Sequence, residues 1–399
     1  MKFAHMADLH IGSWREPKLR ELAARAFVQA LEKAVGLGVD FVLFAGDLFN
    51  TSLPAMDGLK LVVEKLKWLN ELGIPLYVIA GSHDFSPSGR TMVEVLEKAG
   101  LVMNVCKGDV VDEVLKLGFT VDKKTGVKIT GMLGKRGMLD RIYYENLDGS
   151  NLEKEEGYKI FMFHTAISEL KPKHLEKMEA QPLSMLPKGF NYYAGGHVHH
   201  RSEMEYSGGL VTMPGALFPN NFAEVEKYSH GGFYFVEDNK AEWIPVKIKE
   251  HVKLEFDCQH KSSEDVERMI LEELNNWNLK EAIVTMRFSG ILSHGKPGDI
   301  NFKTIFKQIY DRGAYFVMKN SSKLHSSSFE EIKIDTGSVE DVEENLIKEH
   351  LGQIKMEGDE LDLTQSLMRV LDTERKEGEH AHDFEERMKA EVERVLGLD

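Results

Sequence analysis

Cysteine is nearly absent. Cys106 and Cys258 are the only two in 399 residues, which excludes a disulfide framework and a thiolate metal site and makes a reducing compartment the expectation. Long apolar runs are missing as well. No stretch approaches the ~20 residues needed to cross a bilayer, so no membrane association is expected. The opening "MKFAHMADLH" runs straight into a strand-like pattern without an apolar signal core or cleavage site, and the expected location is the cytoplasm. Internal repeats and extended low-complexity tracts are lacking too. What is present, 42% hydrophobic and 29% charged residues, is enough to bury a real core, and the length suggests two or three domains.

An excess of basic charge is also missing. The formal net charge is -15, which looks wrong for a nucleic-acid partner until it is divided along the chain. Residues Glu340 to Asp399 hold 19 Asp+Glu and 8 Lys+Arg, a net of -11 that leaves -4 for everything before them. The acidity belongs mainly to the tail. It argues against the tail touching phosphates and says little about the rest.

The first two-thirds alternates short apolar segments with amphipathic ones. "KFAHMA", "DFVLFAG", "LYVIAG", "YKIFMFH" and "NYYAGGH" read as buried strands, and Arg20 to Val35 and Asp57 to Leu72 read as helices with apolar residues three and four apart. Strand, helix, strand in this order predicts an α/β sheet with parallel pairings. After His199 the shorter segments "GLVTMPGA", "GGFYFVE" and "AEWIPVKIK" look like a second sheet packed on the first. From about Lys249 a small βαβαβ module is expected, followed by a serine-rich loop "NSSKLHSSSFEE". From about Gly337 the chain reads as charged helix, and its last segment places Phe384, Met388, Val392 and Val395 on one face.

Five short motifs sit where strands end: "ADLH" with Asp8 and His10, "AGDLF" with Asp47, "AGSHD" with Ser82, His83 and Asp84, "MFHT" with His164, and "GGHVH" with His197 and His199. Ligands of open α/β sheets bind beyond the carboxyl ends of the strands. Two aspartates and several histidines delivered there describe a mixed oxygen and nitrogen metal site, better suited to Mn, Fe or Zn than to Mg or Ca. Asp8 and His10, like His197 and His199, are two apart, so in extended chain both side chains leave on one face. Asp47 is the natural bridge, because a carboxylate can hold two cations ~3.5–4 Å apart. Such a pair can position a phosphodiester and activate water near neutral pH. One such motif occurs by chance; five in order at strand ends do not.

These motifs resemble, with serine at position 82, the signature D-x-H, G-D, G-N-H-[DE], H and G-H-x-H of the calcineurin-like metallophosphoesterases. Within that superfamily "FAHMADLHIG", "VDFVLFAGDLFNTS", "GIPLYVIAGSHD" and "YYAGGHVHHR" followed by "YSGGLVTMPGAL" closely resemble the Mre-eleven/SbcD nucleases, by motif over the first ~240 residues and by layout beyond. The resemblance implies a two-sheet β-sandwich flanked by helices over residues 1–249, a small α/β capping and DNA-binding domain over 250–336, and a C-terminal helical partner-binding segment over 337–399. It implies a manganese-dependent nuclease that processes DNA double-strand breaks, as an exonuclease on double-stranded ends and an endonuclease on single strands. It also implies a nucleoid-associated homodimer with two Mn(2+) ions per chain, bound through its C-terminal helices to a Rad-fifty/SbcC-type coiled-coil ATPase.

By motif position, the resemblance implies that Asp8, His10, Asp47 and His199 hold one metal, and that Asp47, residue 82, His164 and His197 hold the other. His83 becomes the group that protonates the leaving 3′ oxygen. Asp84, next to it, is expected to accept from backbone groups rather than serve as a second acid. Ser82 is a departure, because the superfamily places asparagine there. The hydroxyl could ligate after a small shift, a water could complete the shell, or the site could bind weakly; an occupied but weaker site is expected. Asn50 replaces a frequent histidine and is a possible supporting residue. Arg201 is the best of several candidate phosphate contacts that include Lys18, Arg20, Lys135, Arg136, Arg141 and His200. Two other functions compete: a phosphomonoesterase of the same superfamily, and a metal-impaired scaffold that joins DNA to the ATPase. The appended ~150 residues disfavour the first, and retention of every other ligand disfavours the second.

Overall fold

Alternation inside strands that are buried on both faces decides how the chain layers. In a computed structural model that describes residues 1–86, 88–327, 360–373, 375 and 381–396, strand β1 (Lys2–Met6) turns Phe3 and His5 to one side and Ala4 and Met6 to the other. Strand β2 (Phe41–Ala45) does the same with Phe41, Leu43 and Ala45 against Val42 and Phe44. The first set meets Ile160, Met162, Tyr192 and Ala194 of a facing sheet, and the second packs under helices. This is the layered α/β sandwich expected from the sequence.

The chain divides into two units, Met1–His325 and Ser326–Asp399. In the first, one sheet runs β14 (Lys240–Val246), β13 (Gly231–Glu237), β1, β2, β3 (Leu76–Ile79), β4 (Met103–Asn104). β1 to β4 are parallel, and β13 and β14 add antiparallel. The other sheet runs β11 (Ser202–Tyr206), β12 (Gly209–Met213), β10 (Tyr192–Gly196), β9 (Lys159–His164), β8 (Lys128–Met132), β7 (Thr120–Val121), with β8, β9, β10 and β12 parallel. A separate hairpin pairs β5 (Gly108–Val111) with β6 (Val114–Leu117).

Sheet membership therefore differs from the sequence expectation. "YKIFMFH" and "NYYAGGH" belong to the second sheet, not the first, while "GGFYFVE" and "AEWIPVKIK" return to the first. Apolar strands buried on both faces look alike whichever sheet holds them, so the pattern carried no signal for this choice.

Helix α1 (Pro17–Gly36) opens on proline at its first turn and buries Leu19, Leu22, Ala23, Ala26, Phe27, Ala30, Leu31 and Ala34 in one stripe. Helix α2 (Met56–Glu71) buries Val62, Leu66 and Leu69, and α3 (Met92–Lys98) buries Val93 and Leu96. Two short helices, α4 (Arg141–Glu145) and α5 (Ser150–Lys154), lie before β9, and α6 (Phe222–Tyr228) lies between β12 and β13.

The last part of this unit is a three-stranded sheet of β15 (His251–Asp257), β16 (Ile283–Leu292) and β17 (Phe316–Ser326) with α7 (Ser263–Glu273) and α8 (Phe302–Asp311), around its own core of Leu254, Phe256, Val284, Phe288 and Ile305. β17 runs on through Asn320–Ser326, which the sequence reading gave to a loop. Leu324 and Ser326 are buried there while their neighbours are exposed, so a strand with a polar outer face was hidden by its serines. Within the second unit the helices are Glu360–Leu371 and Ala381–Leu396. Phe384, Met388, Val392 and Val395 are all half-buried. The expected helix over residues 337–359 and the 336/337 boundary lie outside the described residues.

Candidate metal centre

The carboxyl ends of β1, β2, β3, β9 and β10 open on one edge of the sandwich, and each carries one motif. The strands stop before the motifs do. Asp8 (φ 51°), His10 (φ 43°), Asp47 (φ 52°) and His197 (φ 91°) all have left-handed backbone. The paired residues thus do not share a face by extended periodicity, as expected above, but through turns. Such conformations cost on the order of 1–3 kcal/mol each in non-glycine residues and persist only where neighbours enforce them. Here the two loops brace each other: Asp8 N donates to Gly46 O at 3.2 Å, His10 N to Asp47 O at 3.0 Å and Ile11 N to Leu48 O at 3.1 Å.

Three clusters of ligand atoms result: Asp8, His10 and His199; His10, Asp47 and His83; and Asp47, His164 and His197, the atoms of each lying within 4.8 Å of one another. Asp47 belongs to two of them. His10 Nε2 lies 3.6 Å and His164 Nε2 3.1 Å from Asp47 Oδ2, and His10 Nε2 faces His199 Nε2 at 3.0 Å. Ser82 is buried with its hydroxyl donating to Asp47 Oδ2 at 3.4 Å. Glycines make room for this crowding. A Cβ on Gly46 would sit 2.1 Å from His164 Nδ1, and Gly46 itself has φ +85°.

The donor chemistry fits metal ions. A carbonyl and a carboxylate can only accept, so His164 Nδ1 donates to Ala45 O (2.8 Å) and His199 Nδ1 to Glu224 (3.0 Å). Each neutral ring then turns its Nε2 lone pair into the site. The buried His164 Nε2 has no hydrogen-bond partner. A lone pair facing a carboxylate oxygen at 3.1 Å needs a proton or a cation between them. Burial works against charge on His164, but Asp47 beside it pushes its pKa up to about 10. Burial also opposes an ionised Asp47, and His164 and His10 nonetheless hold it well below the usual carboxylate range. Burial and the neighbouring His164 push His197 down to about 4. A cation would replace the His164 proton, so binding releases protons and weakens as pH falls.

His83 lies beside His10, their ring centres 4.8 Å apart. Its backbone N–H donates to Asp47 Oδ1 at 2.7 Å, and its Nδ1 donates to the backbone carbonyl of Asn50 at 2.8 Å. Asn50 thus meets His83 through its main chain. Asp84 is fully buried and accepts from Gly81 N (2.8 Å), Phe49 N (3.3 Å) and Leu48 N (3.4 Å), tying the β2 and β3 loops together. Burial and the nearby Asp47 push its carboxyl up to about 7.

One participant escaped the sequence reading, and a second was named without its role. Glu224 accepts from His199 Nδ1, Asn220 N (2.8 Å) and Asn221 Nδ2 (2.6 Å), a carboxylate–histidine pair of the kind that orients metal ligands. Arg136, grouped there with scattered cations, donates from Nε to Ser82 O at 3.2 Å and brings Nη2 within 3.2 Å of His83 Nδ1. Arg201 lies with its guanidinium 5.1 Å from the Trp243 ring centre and 5.9 Å from that of Tyr234.

The family model for calcineurin-like phosphoesterases matches residues 1–201, just over half the chain and every strand-end motif. The chain is a calcineurin-like phosphoesterase. It is a metal-dependent enzyme of that family, and its similarity to the Mre-eleven/SbcD group extends well past the motifs. The DNA double-strand break repair protein Mre11 of Archaeoglobus fulgidus is 28% identical over 311 residues, covering 72% of this chain and 68% of that protein. The protein of the same name from Methanococcus maripaludis is 24% identical over 369 residues, or 87% and 91% of the two chains. That of Methanopyrus kandleri is 30% identical over 263 residues, 63% of this phosphoesterase and 57% of the relative. Among the described residues no helix is long and apolar enough to cross a membrane.

Proposed function

We propose that this phosphoesterase is a manganese-dependent DNA nuclease of double-strand break repair, an exonuclease on double-stranded ends and an endonuclease on single strands. The observation that carries the reading is the Asp47 carboxylate, shared by two ligand clusters with His83 hydrogen-bonded to it through the backbone. Asp8, His10, Asp47 and His199 would hold one Mn(2+), and Asp47, Ser82, His164 and His197 the other. When bound, the two ions would supply Lewis-acid charge to the phosphodiester oxygens and a nucleophile from solvent at neutral pH. The chain's own residues do the rest. Glu224 fixes the His199 tautomer and Ala45 O that of His164, while Asp84 locks the loop that carries His83. With Nδ1–H anchored on Asn50 O, Nε2 is the His83 nitrogen from which a proton would pass to the leaving 3′ oxygen.

The remaining assignments follow from the same reading. Residues 1–249 form the nuclease domain, 250–336 the capping domain and 337–399 the segment that binds a Rad-fifty/SbcC-type ATPase; the separate core around Leu254, Val284 and Phe288 supports the first boundary. A homodimer uses α2 and α3, where Met56 and Val95 are exposed, with the exposed Leu53 and Leu72 flanking α2. The protein works in the cytoplasm at the nucleoid.

A second reading, the metal-impaired scaffold, draws on Ser82, whose hydroxyl points its proton at Asp47 instead of offering an amide oxygen. Manganese occupancy by calorimetry or anomalous scattering separates the two, with degradation of linear duplex DNA and of p-nitrophenyl phosphate followed on the same sample. Two ions and manganese-dependent loss of DNA are expected, with Ser82→Asn tightening one site by ~1–3 kcal/mol, the scale of one polar interaction. One ion and no DNA degradation, both restored by Ser82→Asn, would favour the scaffold. Turnover of the monoester alone would make this a phosphomonoesterase.

A further inference from the structure

Beside the metal centre a cleft of about 340 Å³ runs from His197 and His199 to His174, His200, Lys227 and Tyr228. It adjoins a second hollow of about 310 Å³ that continues past Arg201 to Trp243. His174, His200, Arg201, Lys227 and His230, which line this cleft and hollow, are not needed to hold a metal. Lys227 Nζ lies 2.7 and 2.8 Å from the two ring nitrogens of His174 and 5.3 Å from the centre of the Tyr228 ring, with no carboxylate in ion-pairing range among the described residues. The His200 ring stands edge-on to His174, 6.2 Å between centres, and 5.7 Å from Tyr228. Glu224, which also lines the cleft, is occupied by His199, Asn220 N and Asn221. An ammonium can donate three hydrogen bonds. Lys227 spends at most one on His174, so the cleft presents unmatched positive charge with aromatic walls.

The geometry points to a second phosphate subsite, built by Lys227 and His200, that holds the nucleic-acid phosphate next to the one being cleaved. The inference rests on the nucleic-acid reading of the metal centre and adds to it a place for the neighbouring residue of the strand. The cleft begins at two metal-ligating histidines, so a phosphate held there is joined to the reacting one by a single nucleotide. Charges on one strand recur about every 3.4 Å along the axis, which requires some group of the protein to meet the next one. Tyr228 and Trp243 offer ring faces on which the intervening base can stack. Lys227 is positioned by His174, and Trp243 is pinned by its Nε1–H to Pro214 O at 3.1 Å.

The test is equilibrium binding of a fluorescent trinucleotide to the full chain in EDTA, across a salt series, with either a 5′-phosphate or a 5′-hydroxyl. Lys227→Gln should weaken binding on the order of tenfold, the scale of one charge-assisted hydrogen bond. It should also flatten the plot of log affinity against log salt by about 0.7, one single-strand phosphate contact. Lys227→Arg should restore the slope, which a merely structural loss would not allow. An effect confined to the 5′-phosphate probe assigns the subsite to a strand end, and an effect on both probes assigns it to an internal phosphate. Binding by the parent chain with unchanged affinity and slope in Lys227→Gln overturns the subsite alone. No binding by the parent chain, either in EDTA or with calcium in place of manganese, overturns the nucleic-acid reading with it.

Discussion

Replacing Glu224 with glutamine should weaken one metal site and spare the other. The carboxylate accepts three hydrogen bonds, from His199 Nδ1 at 3.0 Å, Asn220 N at 2.8 Å and Asn221 Nδ2 at 2.6 Å. The first fixes which nitrogen of His199 faces Asp8 and His10. Glutamine keeps the length and one acceptor oxygen but loses the charge that makes His199 a better donor to a cation. Loss of such an outer partner typically costs 10–100-fold in metal affinity, about 1.4–2.7 kcal/mol. Glutamine should fall at the low end and Glu224→Ala at the high end, since alanine removes the acceptor for His199 Nδ1 altogether. Calorimetric titration of manganese into the metal-free chain reads this directly. Two classes of site are expected, with only the class that includes His199 shifted by about tenfold in Glu224→Gln. Equal weakening of both classes would refute the reasoning, as would an unchanged isotherm, because Glu224 touches only the cluster that contains His199.

His83→Gln should keep manganese content and DNA affinity while lowering turnover by ~10²–10⁴-fold, the usual contribution of a general acid; a fall in metal content instead would make His83 a ligand. Acid should destabilise the fold through His5, which lies wholly buried between the sheets against Tyr192 Oη and Thr212 Oγ1, both at 3.1 Å. Burial lowers its pKa from 6.5 to about 3, so the unfolded chain takes the proton first. The neutral ring's contribution is complete above pH 6.5 and is lost as pH falls toward 3, by about 2 kcal/mol at pH 5 and about 5 kcal/mol at the limit. Urea unfolding at pH 7 and pH 5 checks the sign, and a midpoint that rises at pH 5 contradicts it.

The strand-end motifs were legible because their chemistry is local: each ligand sits within four residues of a glycine or of an apolar run that must be a strand. What lay beyond reach was long-range or geometric. Glu224 is 25 residues from His199 and appears in "NNFAEVEKY" as the third residue after a helix N-cap, where a glutamate needs no further reason than capping. His5 alternates with apolar neighbours like any core position. The left-handed turns at Asp8, His10, Asp47 and His197 were missed because spacing of two fits a strand equally well. Sheet membership depends on which strand pairs with which, and equally apolar strands do not encode it.

Those four turns bear on how this protein would respond to directed evolution. A screen for heat resistance rewards any substitution that relieves left-handed backbone, and glycine does so at once. At about 1 kcal/mol or more for each position, set against a total stability of roughly 5–15 kcal/mol, such gains are open at Asp8, His10, Asp47 and His197 as they are at Trp14, Glu113 and Glu281. At the first four each gain deletes a side chain proposed to hold metal. Selection for robustness without selection for turnover would therefore wear away the metal centre along with the other left-handed turns and leave the sandwich standing as an inert and sturdier shell.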